Sequence, residues 1–313
     1  MTERIVTLTL NPAIDIATMT QKLSPFDKLR CDPERRDPGG GGINVARVIL
    51  RLGGNALAVF PAGGGTGAML EHMLRKEGLA VRSAQIDGTT REDFSVIERA
   101  SGNEYRFVMP GPVLSDGELS ALLDTVLAEA EGGAVVVASG SLPPHTRASF
   151  YAELSAALKA KGAKLVLDTS GTPLKLALEE GVWLVKPNRT EISELVGTRL
   201  RGVNSWCKAA RDIVTSGKAQ FLALSIAAEG ALLVTRTGCW HAHAPAIKPV
   251  STVGAGDSFL GALICSLASG REPADALRHA VAAGSAALLA PGTELAHTEG
   301  IAQMLEQTSV EPL

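Results

Sequence analysis

The residues best suited to chemistry lie near the carboxyl end, in the stretch Ser251-Thr252-Val253-Gly254-Ala255-Gly256-Asp257-Ser258-Phe259. Glycines let backbone N–H groups come close together, and an apolar helix is predicted directly after them. N–H groups at a helix start stabilise phosphate charge, and the Asp257 carboxylate beside them can accept a proton from an alcohol. The stretch therefore predicts phosphoryl transfer to a hydroxyl group, with Asp257 as general base. The alternative is that Asp257 only caps the helix.

A second glycine cluster, Gly39-Gly40-Gly41-Gly42, precedes a predicted helix that begins Ile43-Asn44-Val45. Glycines let the main chain approach a ligand without interference from Cβ atoms, and the Asn44 amide could bond a sugar hydroxyl. Asp15, shortly after the first predicted strand, could accept hydrogen bonds from two adjacent hydroxyls. The alternatives are a flexible turn before a helix and an ordinary turn aspartate.

Polar residues also follow the predicted strand that ends Val185-Lys186-Pro187. Ligands bind at the carboxyl ends of strands in open α/β sheets, so Asn188 and Glu191 could contact Mg²⁺ through its retained waters. The alternative is helix capping, because Asn followed three residues later by Glu is a capping-box pattern. Capping leaves the neighbouring Lys186 unexplained.

Composition limits the classes of partner. The chain has 313 residues, 45% hydrophobic and 20% charged, which indicates a folded protein with a substantial core. A net charge of −3 gives no reason to expect nucleic acid or an anionic membrane as partner. The four cysteines are far apart in sequence and show no CxxC, which favours reduced thiols and a cytoplasmic location. No signal peptide or long apolar span is predicted.

Several familiar motifs are missing from the sequence. There is no GxxxxGK[ST] phosphate loop, no protein-kinase signature set and no HExxH. His241 and His243 share one strand face by their spacing, and surface histidines explain this more simply than a metal does. Gly63–Gly67 could belong to a dinucleotide loop, but no acidic ribose partner follows at the expected distance.

Strand-like and helix-like segments alternate for most of the chain, which predicts a mainly parallel sheet covered by helices. Two stretches, about 13–38 and 88–110, differ in pattern, and the second alternates polar and apolar residues. They suit short antiparallel strands with one solvent-exposed face, and we expect them to form a β lid outside the main sheet. The basic residues expected on this lid suit a sugar phosphate: Lys28, Arg30, Arg91 and Arg106. The alternative for each is solvated surface charge.

Together these motifs resemble the PfkB (ribokinase-like) family of sugar kinases over essentially the whole chain. Gly39–Gly54 is similar to the family's N-terminal signature and Ser251–Gly261 to its C-terminal one, with Asn188–Glu191 between them. The opening Thr7–Asp15 looks like the branch that acts on phosphorylated ketohexoses. The resemblance implies an α/β fold in which a mainly parallel sheet is sandwiched by helices and carries a small β-sheet lid, with 1–313 forming one kinase domain.

The implied reaction is ATP-dependent phosphorylation of fructose 6-phosphate at its C1 hydroxyl. Related 1-phosphofructokinases and tagatose-6-phosphate kinases often carry Lys where this chain has Gly41. This difference favours fructose 6-phosphate as the substrate and leaves those two activities as alternatives. A non-catalytic sugar-phosphate sensor and, from Gly63–Gly67, a nicotinamide-dependent oxidoreductase are more remote alternatives.

The resemblance also assigns expected roles to individual residues. The expected proton acceptor is Asp257, and Gly254, Ala255 and Gly256 are expected to form the anion hole. The residues expected to hold the sugar phosphate are Asp15, Lys28, Arg30, Gly39, Gly40, Gly41, Gly42, Asn44, Arg91, Arg106, Ser139 and Ser141, and those expected to flank the nucleotide are Lys186, Asn188, Ser225, Ala227, Gly230, Thr252 and Ser285. Glu191 is expected to organise Mg²⁺, and the carbonyl groups of Ser251 and Val253, with others around 287–292, are expected to suit K⁺.

The implied small molecules are ATP, a sugar phosphate, Mg²⁺ and K⁺, and the implied partner is a second copy of the chain, paired through the lid. In similar proteins ATP can also bind a second, inhibitory site near Lys28. One residue departs from the family pattern, because relatives usually have Gly where Ala227 stands. A Cβ disfavours positive φ, so a differently shaped ATP loop is expected. Glu229 beside it would repel a polyphosphate if it pointed inward.

Overall fold

The computed structural model describes residues 3–290 and 292–313, which form two β-sheets and a set of covering helices. The strands are β1 Ile5–Leu8, β2 Ala13–Thr20, β3 Arg35–Gly39, β4 Ala56–Ala62, β5 Ala80–Gln85, β6 Arg91–Glu98, β7 Glu104–Phe107, β8 Val135–Ser139, β9 Lys164–Asp168, β10 Val182–Val185, β11 Ala219–Ser225, β12 Ala231–Val234, β13 Cys239–His243 and β14 Ser309–Pro312. The helices are α1 Gly41–Arg51, α2 Gly64–Lys76, α3 Asp116–Glu129, α4 Phe150–Ala160, α5 Gly171–Glu180, α6 Arg189–Val196, α7 Val203–Thr215, α8 Ala255–Ala268, α9 Pro273–Leu288 and α10 Thr298–Gln307.

The large sheet has the strand order β14-β13-β12-β11-β10-β9-β8-β1-β4-β5. Every neighbouring pair from β5 to β11 is parallel, and the pairs from β11 to β14 are antiparallel. The α/β fold with a mainly parallel sheet is therefore confirmed.

Helices cover both faces of this sheet. Successive residues of β8 alternate between the two cores, with Val135 and Val137 packed on one side and Val136 and Ala138 on the other. Helices α1, α2, α8 and α9 cover the first side, and α3 to α7 cover the second. A strand buried on both faces must be apolar at every position, which is why these strands read as continuous hydrophobic runs.

The stretches expected to form a lid contain a separate four-stranded sheet in the order β3-β2-β6-β7. The β2–β3 and β6–β7 pairs are antiparallel, as expected. The β2–β6 pair is parallel, so the expectation of antiparallel pairing throughout is wrong. The reason is that β2 follows β1 and β6 follows β5, and β1 and β5 run in the same direction in the large sheet.

Two further expectations concern helices and cysteines. The sequence Ser115-Asp116-Gly117-Glu118 predicts a capping box, and the structure confirms it at the start of α3. No helix in the described ranges is long and apolar enough to cross a membrane.

Cys207 and Cys239, far apart in sequence, lie with their Sγ atoms 2.7 Å apart in the core, and both thiols are free. The large separation of these two cysteines in the sequence gave no indication of this contact.

Candidate active site

A cavity of about 410 Å³ lies at the carboxyl ends of the parallel strands, beside the small sheet. Most of the residues predicted from the sequence meet there, although they come from distant parts of the chain. The predicted residues that line it are Asp15, Gly40, Gly41, Asn44, Arg91, Arg106, Ser139, Ser141, Glu191, Thr252, Val253, Gly254, Gly256 and Asp257.

Asp257 is the third residue of helix α8, whose cap position is Gly254 at φ 72°. No side chain caps this helix, so the alternative that Asp257 is a capping residue is wrong. Its Oδ2 atom instead accepts a hydrogen bond of 2.9 Å from Nδ2 of Asn44 in helix α1. The carboxylate therefore lies beside the amino end of α8, where N–H groups attract negative charge.

Burial raises the pKa of Asp257 to about 6, and the negative charge of Asp168 adds to this effect. The hydrogen bond from Asn44 and the charges of Lys186 and Arg106 act in the opposite direction. A carboxylate with this pKa is still largely ionised at neutral pH and is a better proton acceptor than an ordinary aspartate.

Asp15 is the second carboxylate of the cavity with a raised pKa. Burial, followed by the negative charge of Asp93, raises the pKa of Asp15 to about 6. Asp15, Asp93 and Asp37 are direct neighbours across β2, β6 and β3, so their side chains share one face of the small sheet. Asp93 also lines the cavity and was missed from the sequence.

The glycine cluster allows close approach to protein atoms. A Cβ on Gly39 would lie 2.5 Å from Oδ2 of Asp15, and one on Gly41 would lie 2.3 Å from Oγ of Ser139. A Cβ on Gly42 would lie 2.7 Å from the carbonyl oxygen of Leu8. The sequence predicted an approach to a ligand, and the structure adds that these glycines seat helix α1 against Asp15, Ser139 and β1.

Asn44 has one amide atom without a partner. Its Oδ1 is buried and accepts no hydrogen bond, whereas its Nδ2 is used by Asp257. A buried acceptor without a partner is costly, so this atom is suited to receive a hydroxyl proton from a ligand in the cavity.

Lys186 is buried at the end of the strand that precedes α6, and its Nζ lies 3.0 Å from Oδ1 of Asp168. Burial alone would lower the pKa of Lys186, but the contact with Asp168 outweighs it and the net pKa is raised. Ser139 donates to the other carboxylate oxygen of Asp168 at 3.1 Å. Asp168 was missed from the sequence, although it ends strand β9 at the same edge of the sheet.

The capping alternative for Asn188 and Glu191 is confirmed. Asn188 Oδ1 accepts from the backbone N–H groups of Thr190 and Glu191, and Glu191 accepts from the N–H of Asn188 at 2.7 Å. Glu191 nevertheless lines the cavity, and burial, together with the charge of Asp168, raises its pKa. Glu191 and Asp168 thus provide carboxylate oxygens near Lys186, a donor set that fits Mg²⁺. Asn188 itself does not line the cavity.

The four basic residues expected on the lid fall into two groups. Arg91 and Arg106 line the cavity, whereas Lys28 and Arg30 are exposed on the loop between β2 and β3 and do not. Arg91 donates to the carbonyl oxygens of Met109 at 2.6 Å and Asn11 at 3.1 Å, and it forms an ion pair of 3.3 Å with Asp93. Its buried Nε has no partner.

Arg106 lies on strand β7 and is exposed. Its positive charge lowers the pKa of both Asp15 and Asp257, but it makes no ion pair with any residue of the described chain. Arg106 is therefore the cavity arginine whose guanidinium has most capacity for a ligand.

The predicted nucleotide loop follows strand β11. Ser225 forms a bridge with Asn188, and Ala227 begins a short 3₁₀ turn, Ala227–Glu229. Ala227 has φ 55°, a left-handed conformation that its Cβ disfavours but does not prevent. Glu229 points toward Arg189, with 3.7 Å between the charged groups, so it is paired on the surface.

Ser251, whose carbonyl group was suggested for K⁺, does not line the cavity. Ser251 is buried, and its N–H and that of Val250 face the carbonyl oxygen of Leu288, at the end of α9, at 3.4 and 2.7 Å. The stretch suggested for K⁺ therefore adjoins part of 287–292, although Pro291 lies outside the described residues. Carbonyl groups at a helix end suit a cation. Within the described chain, the predicted residues that do not line the cavity are Lys28, Arg30, Gly39, Gly42, Lys186, Asn188, Ser225, Ala227, Gly230, Ser251, Ala255 and Ser285.

A larger cavity of about 970 Å³ lies at the opposite end of the large sheet, near the start of β1 and β4. Its arginines include Arg4 and Arg75, which are paired with Glu129 and Glu71. None of the predicted site residues lines it. The smaller cavity is therefore the candidate active site.

Comparison with curated sequences places the chain among sugar-phosphate kinases. The chain is 45% identical over 293 residues to ATP-dependent 6-phosphofructokinase isozyme 2 of Escherichia coli (strain K12), covering 93% of this chain and 94% of that protein. It is 40% identical over 303 residues to the enzyme of the same name from Mycobacterium tuberculosis (strain H37Rv), covering 97% and 89%. A 1-phosphofructokinase of Bacillus subtilis is 32% identical over 309 residues, covering 99% and 100%.

Solved structures of phosphofructokinase-2 from Escherichia coli have the same fold. The complexes with potassium and with fructose-6-phosphate have TM-scores of 0.93 and 0.92 and identities of 43% and 42%, and each comparison covers 97% of this chain and 98% of the other. A tetrameric inhibited form of the same protein gives a TM-score of 0.92 at 43% identity, with the same coverage. Residues 8–299 match the family described as pfkB family carbohydrate kinase. The chain therefore belongs to the pfkB family of carbohydrate kinases.

Proposed function

We propose that this chain is an ATP-dependent 6-phosphofructokinase, which transfers the γ-phosphoryl group of ATP to the C1 hydroxyl of fructose 6-phosphate. The observation that carries the proposal is the position of Asp257. Its carboxylate lies at the start of α8, bonded to Asn44, and in the same cavity as Asp15 and Arg106. One group can thus take a proton where helix N–H groups attract phosphate charge.

In the proposed reaction, the C1 oxygen attacks the γ-phosphorus while Asp257 takes the hydroxyl proton. The bond between that phosphorus and the bridging oxygen breaks, and ADP leaves. N–H groups of Gly254, Ala255 and Gly256 face the transferred group, where they stabilise charge that develops in the transition state. The raised pKa of Asp257, about 6, suits this role at neutral pH.

The sugar is held by groups on α1 and the small sheet. Asn44 Oδ1, which is buried and without a partner, accepts a proton from a sugar hydroxyl, while Asp15 accepts from adjacent hydroxyls. Ser139 and Ser141 offer further polar contacts on the same wall. These contacts fix the C1 oxygen near Asp257, which is how positioning lowers the barrier of phosphoryl transfer.

The C6 phosphate is gripped by arginine. Arg106 is the principal group, because it lines the cavity and has no other ionic partner within the described residues. Arg91 assists through its free Nε, while its terminal nitrogens contact Met109, Asn11 and Asp93. Lys28 and Arg30 lie outside this chain's cavity, so a role for them requires another ligand site or a second subunit.

The donor is bound at the other side of the cavity. Lys186 provides a buried positive charge close to the start of α8, and the loop from Ser225 to Gly230 flanks the nucleotide, with Thr252 and Ser285 nearby. Mg²⁺, when bound through waters to Glu191 and Asp168, neutralises charge on the phosphates of ATP. K⁺ would be held by carbonyl groups of Ser251 and Val253 beside the end of α9.

The small sheet acts as a lid and pairs with a second copy. Phe94 and Phe107 lie opposite each other across β6 and β7, and their residues are 38% and 49% exposed. Tyr105, on the same face of β7, is 38% exposed. Adjacent aromatic side chains left open to water favour contact with another protein surface, and a homodimer is the simplest assembly.

Sedimentation analysis of the wild-type chain and of Phe107→Asp tests this assembly. We expect a dimer that dissociates in the variant, while Val196→Asp, at an exposed residue at the end of α6 and outside the lid, leaves the assembly unchanged. A monomeric wild type at micromolar concentration would contradict the homodimer.

The activity is tested by a panel of phosphosugars. The purified chain is assayed for ADP release with fructose 6-phosphate, fructose 1-phosphate and tagatose 6-phosphate, and kcat/KM is compared. The proposal predicts the highest value with fructose 6-phosphate. A preference for fructose 1-phosphate or tagatose 6-phosphate would favour the two alternative activities, and no ADP release with any of them would favour a sensor. A cytoplasmic location, as expected for an enzyme that consumes ATP, is tested by cell fractionation.

A further inference from the structure

His241, His243 and Glu311 meet at the edge of the large sheet, away from the cavity. The two histidines share one face of β13 because they are two residues apart. Glu311 lies in β14, directly opposite His241. One nitrogen of each histidine and one oxygen of Glu311 all lie within 4.8 Å of one another. The imidazole rings are 4.0 Å apart between centroids.

The three side chains differ in exposure in a way that suits binding of an ion from solution. His241 is buried at the base of the cluster, so the expectation of two surface histidines is wrong for this residue, whereas His243 and Glu311 are exposed. Strand β14 is the last strand of the sheet, so no further strand covers the outer side. An ion could therefore enter from solvent and reach the buried ring.

The buried ring is held by a second contact. The Nε2 atom of His241 lies 2.8 Å from the carbonyl oxygen of Glu229. A carbonyl only accepts, so Nε2 must carry the proton and Nδ1 keeps its lone pair. Metal-binding histidines usually donate their other N–H to a carbonyl or carboxylate in this manner, which fixes the ring and its tautomer.

The carbonyl group of Glu229 is itself fixed in place. The 3₁₀ turn that ends at Glu229 is followed by Gly230, and a Cβ on Gly230 would lie 1.9 Å from the carbonyl oxygen of Ala242 in β13. The turn thus packs directly on the strand that carries the histidines. The support for His241 is part of the fold.

We propose that His241, His243 and Glu311 form a binding site for a divalent transition-metal ion, with Zn²⁺ as the representative ion. Two imidazoles and one carboxylate are a donor set that Zn²⁺ accepts, and water completes the tetrahedron. Ligand atoms about 2.0–2.2 Å from such an ion are roughly 3.3 Å from one another. His243 Nε2 and Glu311 Oε1 are already 2.9 Å apart, and both belong to exposed side chains.

A comparison within the chain separates this site from an ordinary surface pair. His297 Nε2 contacts Glu294 Oε1 at 2.6 Å, which is also a histidine–glutamate contact. Those two residues belong to no cluster of three possible ligands among the described residues. His297 therefore provides a matched control for the removal of His243.

The test is a Zn²⁺ titration of the full chain without nucleotide, in competition with a fluorescent zinc indicator and in excess Mg²⁺. We expect one Zn²⁺ per wild-type chain, with affinity reduced at least about tenfold in His243→Gln and in Glu311→Gln. His297→Gln should bind as the wild type does. Both substituted residues are exposed, and circular dichroism checks that the variants are folded.

Three results would overturn the proposal. These are the absence of Zn²⁺ binding by the wild type at about 100-fold the concentration that the indicator detects, equal binding by His243→Gln and the wild type, and an equal loss of affinity in His297→Gln. The phosphosugar assay is independent of this titration, so failure of the metal site leaves the proposed kinase activity untouched.

Discussion

Nδ2 of Asn44 donates a hydrogen bond of 2.9 Å to Oδ2 of Asp257, and this contact joins helix α1 to helix α8. The two residues are 213 positions apart, yet each ends a glycine-rich loop at the first turn of its helix. Asn44 uses its Nδ2 for this bond, and its buried Oδ1 has no partner. In the proposed mechanism, this one amide would link sugar binding to proton transfer.

The replacement Asp257→Asn should reduce kcat by about 10²–10⁴-fold, because the amide cannot take the hydroxyl proton. ATP binding and the fold should be retained, since the side chain caps no helix. ADP release and equilibrium binding of ATP measure the two effects. The matched control is Asp275→Asn, because Asp275 is the third residue of α9 as Asp257 is of α8. Near-normal turnover of Asp257→Asn would exclude it as the base.

Activity should fall as the pH is lowered through about 6. Burial raises the pKa of Asp257 and of Asp15 to about 6, so both carboxyls take up protons in the same range and lose the ionised form that each role needs. We therefore expect log kcat/KM to fall with a slope that approaches two below pH 6. In Asp15→Asn the slope should approach one. A profile that stays flat down to pH 5 would contradict the assignment of both groups.

The helices and strands that depend on neighbouring residues in the sequence were predicted well. Apolar runs bounded by glycine and proline gave the buried strands, and the Ser115 and Asn188 capping boxes gave two helix starts. The sequence pattern predicts a helix over Gly67–Lys76, whereas α2 begins at Gly64. The predicted start is too late because Gly64 and Gly65 have low intrinsic helix propensity.

Features that depend on distant pairing were harder to predict. Asp168 pairs with Lys186 and Ser139 only after three strands align, and the parallel contact between β2 and β6 depends on the direction of the large sheet. Asp168 could have been found by the rule that was applied to Asn188, since both residues lie at the carboxyl end of a buried parallel strand. Nothing in the sequence indicated that Cys207 lies against Cys239.

The replacement Arg106→Gln should raise the KM for fructose 6-phosphate about 10–100-fold, the loss expected for a charge-assisted hydrogen bond of about 1.5–3 kcal/mol. The effect should be smaller for a sugar that lacks the phosphate, because Arg106 contacts nothing else in the proposed complex. Arg99→Gln is the control, since Arg99 lies on the same sheet's loop and pairs with Asp32 outside the cavity. An unchanged KM in Arg106→Gln would assign the phosphate to another group.

Ala227 holds a conformation that is unfavourable for a residue with a Cβ. Its φ of 55° is one of three positive values at non-glycine residues in the described chain, and it lies in the proposed nucleotide loop. A left-handed conformation costs a residue other than glycine roughly 1–2 kcal/mol. Contacts that surround the turn, including the bond between His241 and the carbonyl group of Glu229, maintain it.

The replacement Ala227→Gly should therefore stabilise the fold by about 0.5–1 kcal/mol, because relief of strain exceeds the entropy that glycine adds to the unfolded chain. Ala228→Gly is the matched control in the same turn, since Ala228 has no positive φ. That change should destabilise the fold by about 0.5–1 kcal/mol, because it adds the same entropy and relieves nothing. Urea denaturation of both variants measures the difference, and equal shifts of the same sign would show that the conformation at Ala227 carries no strain.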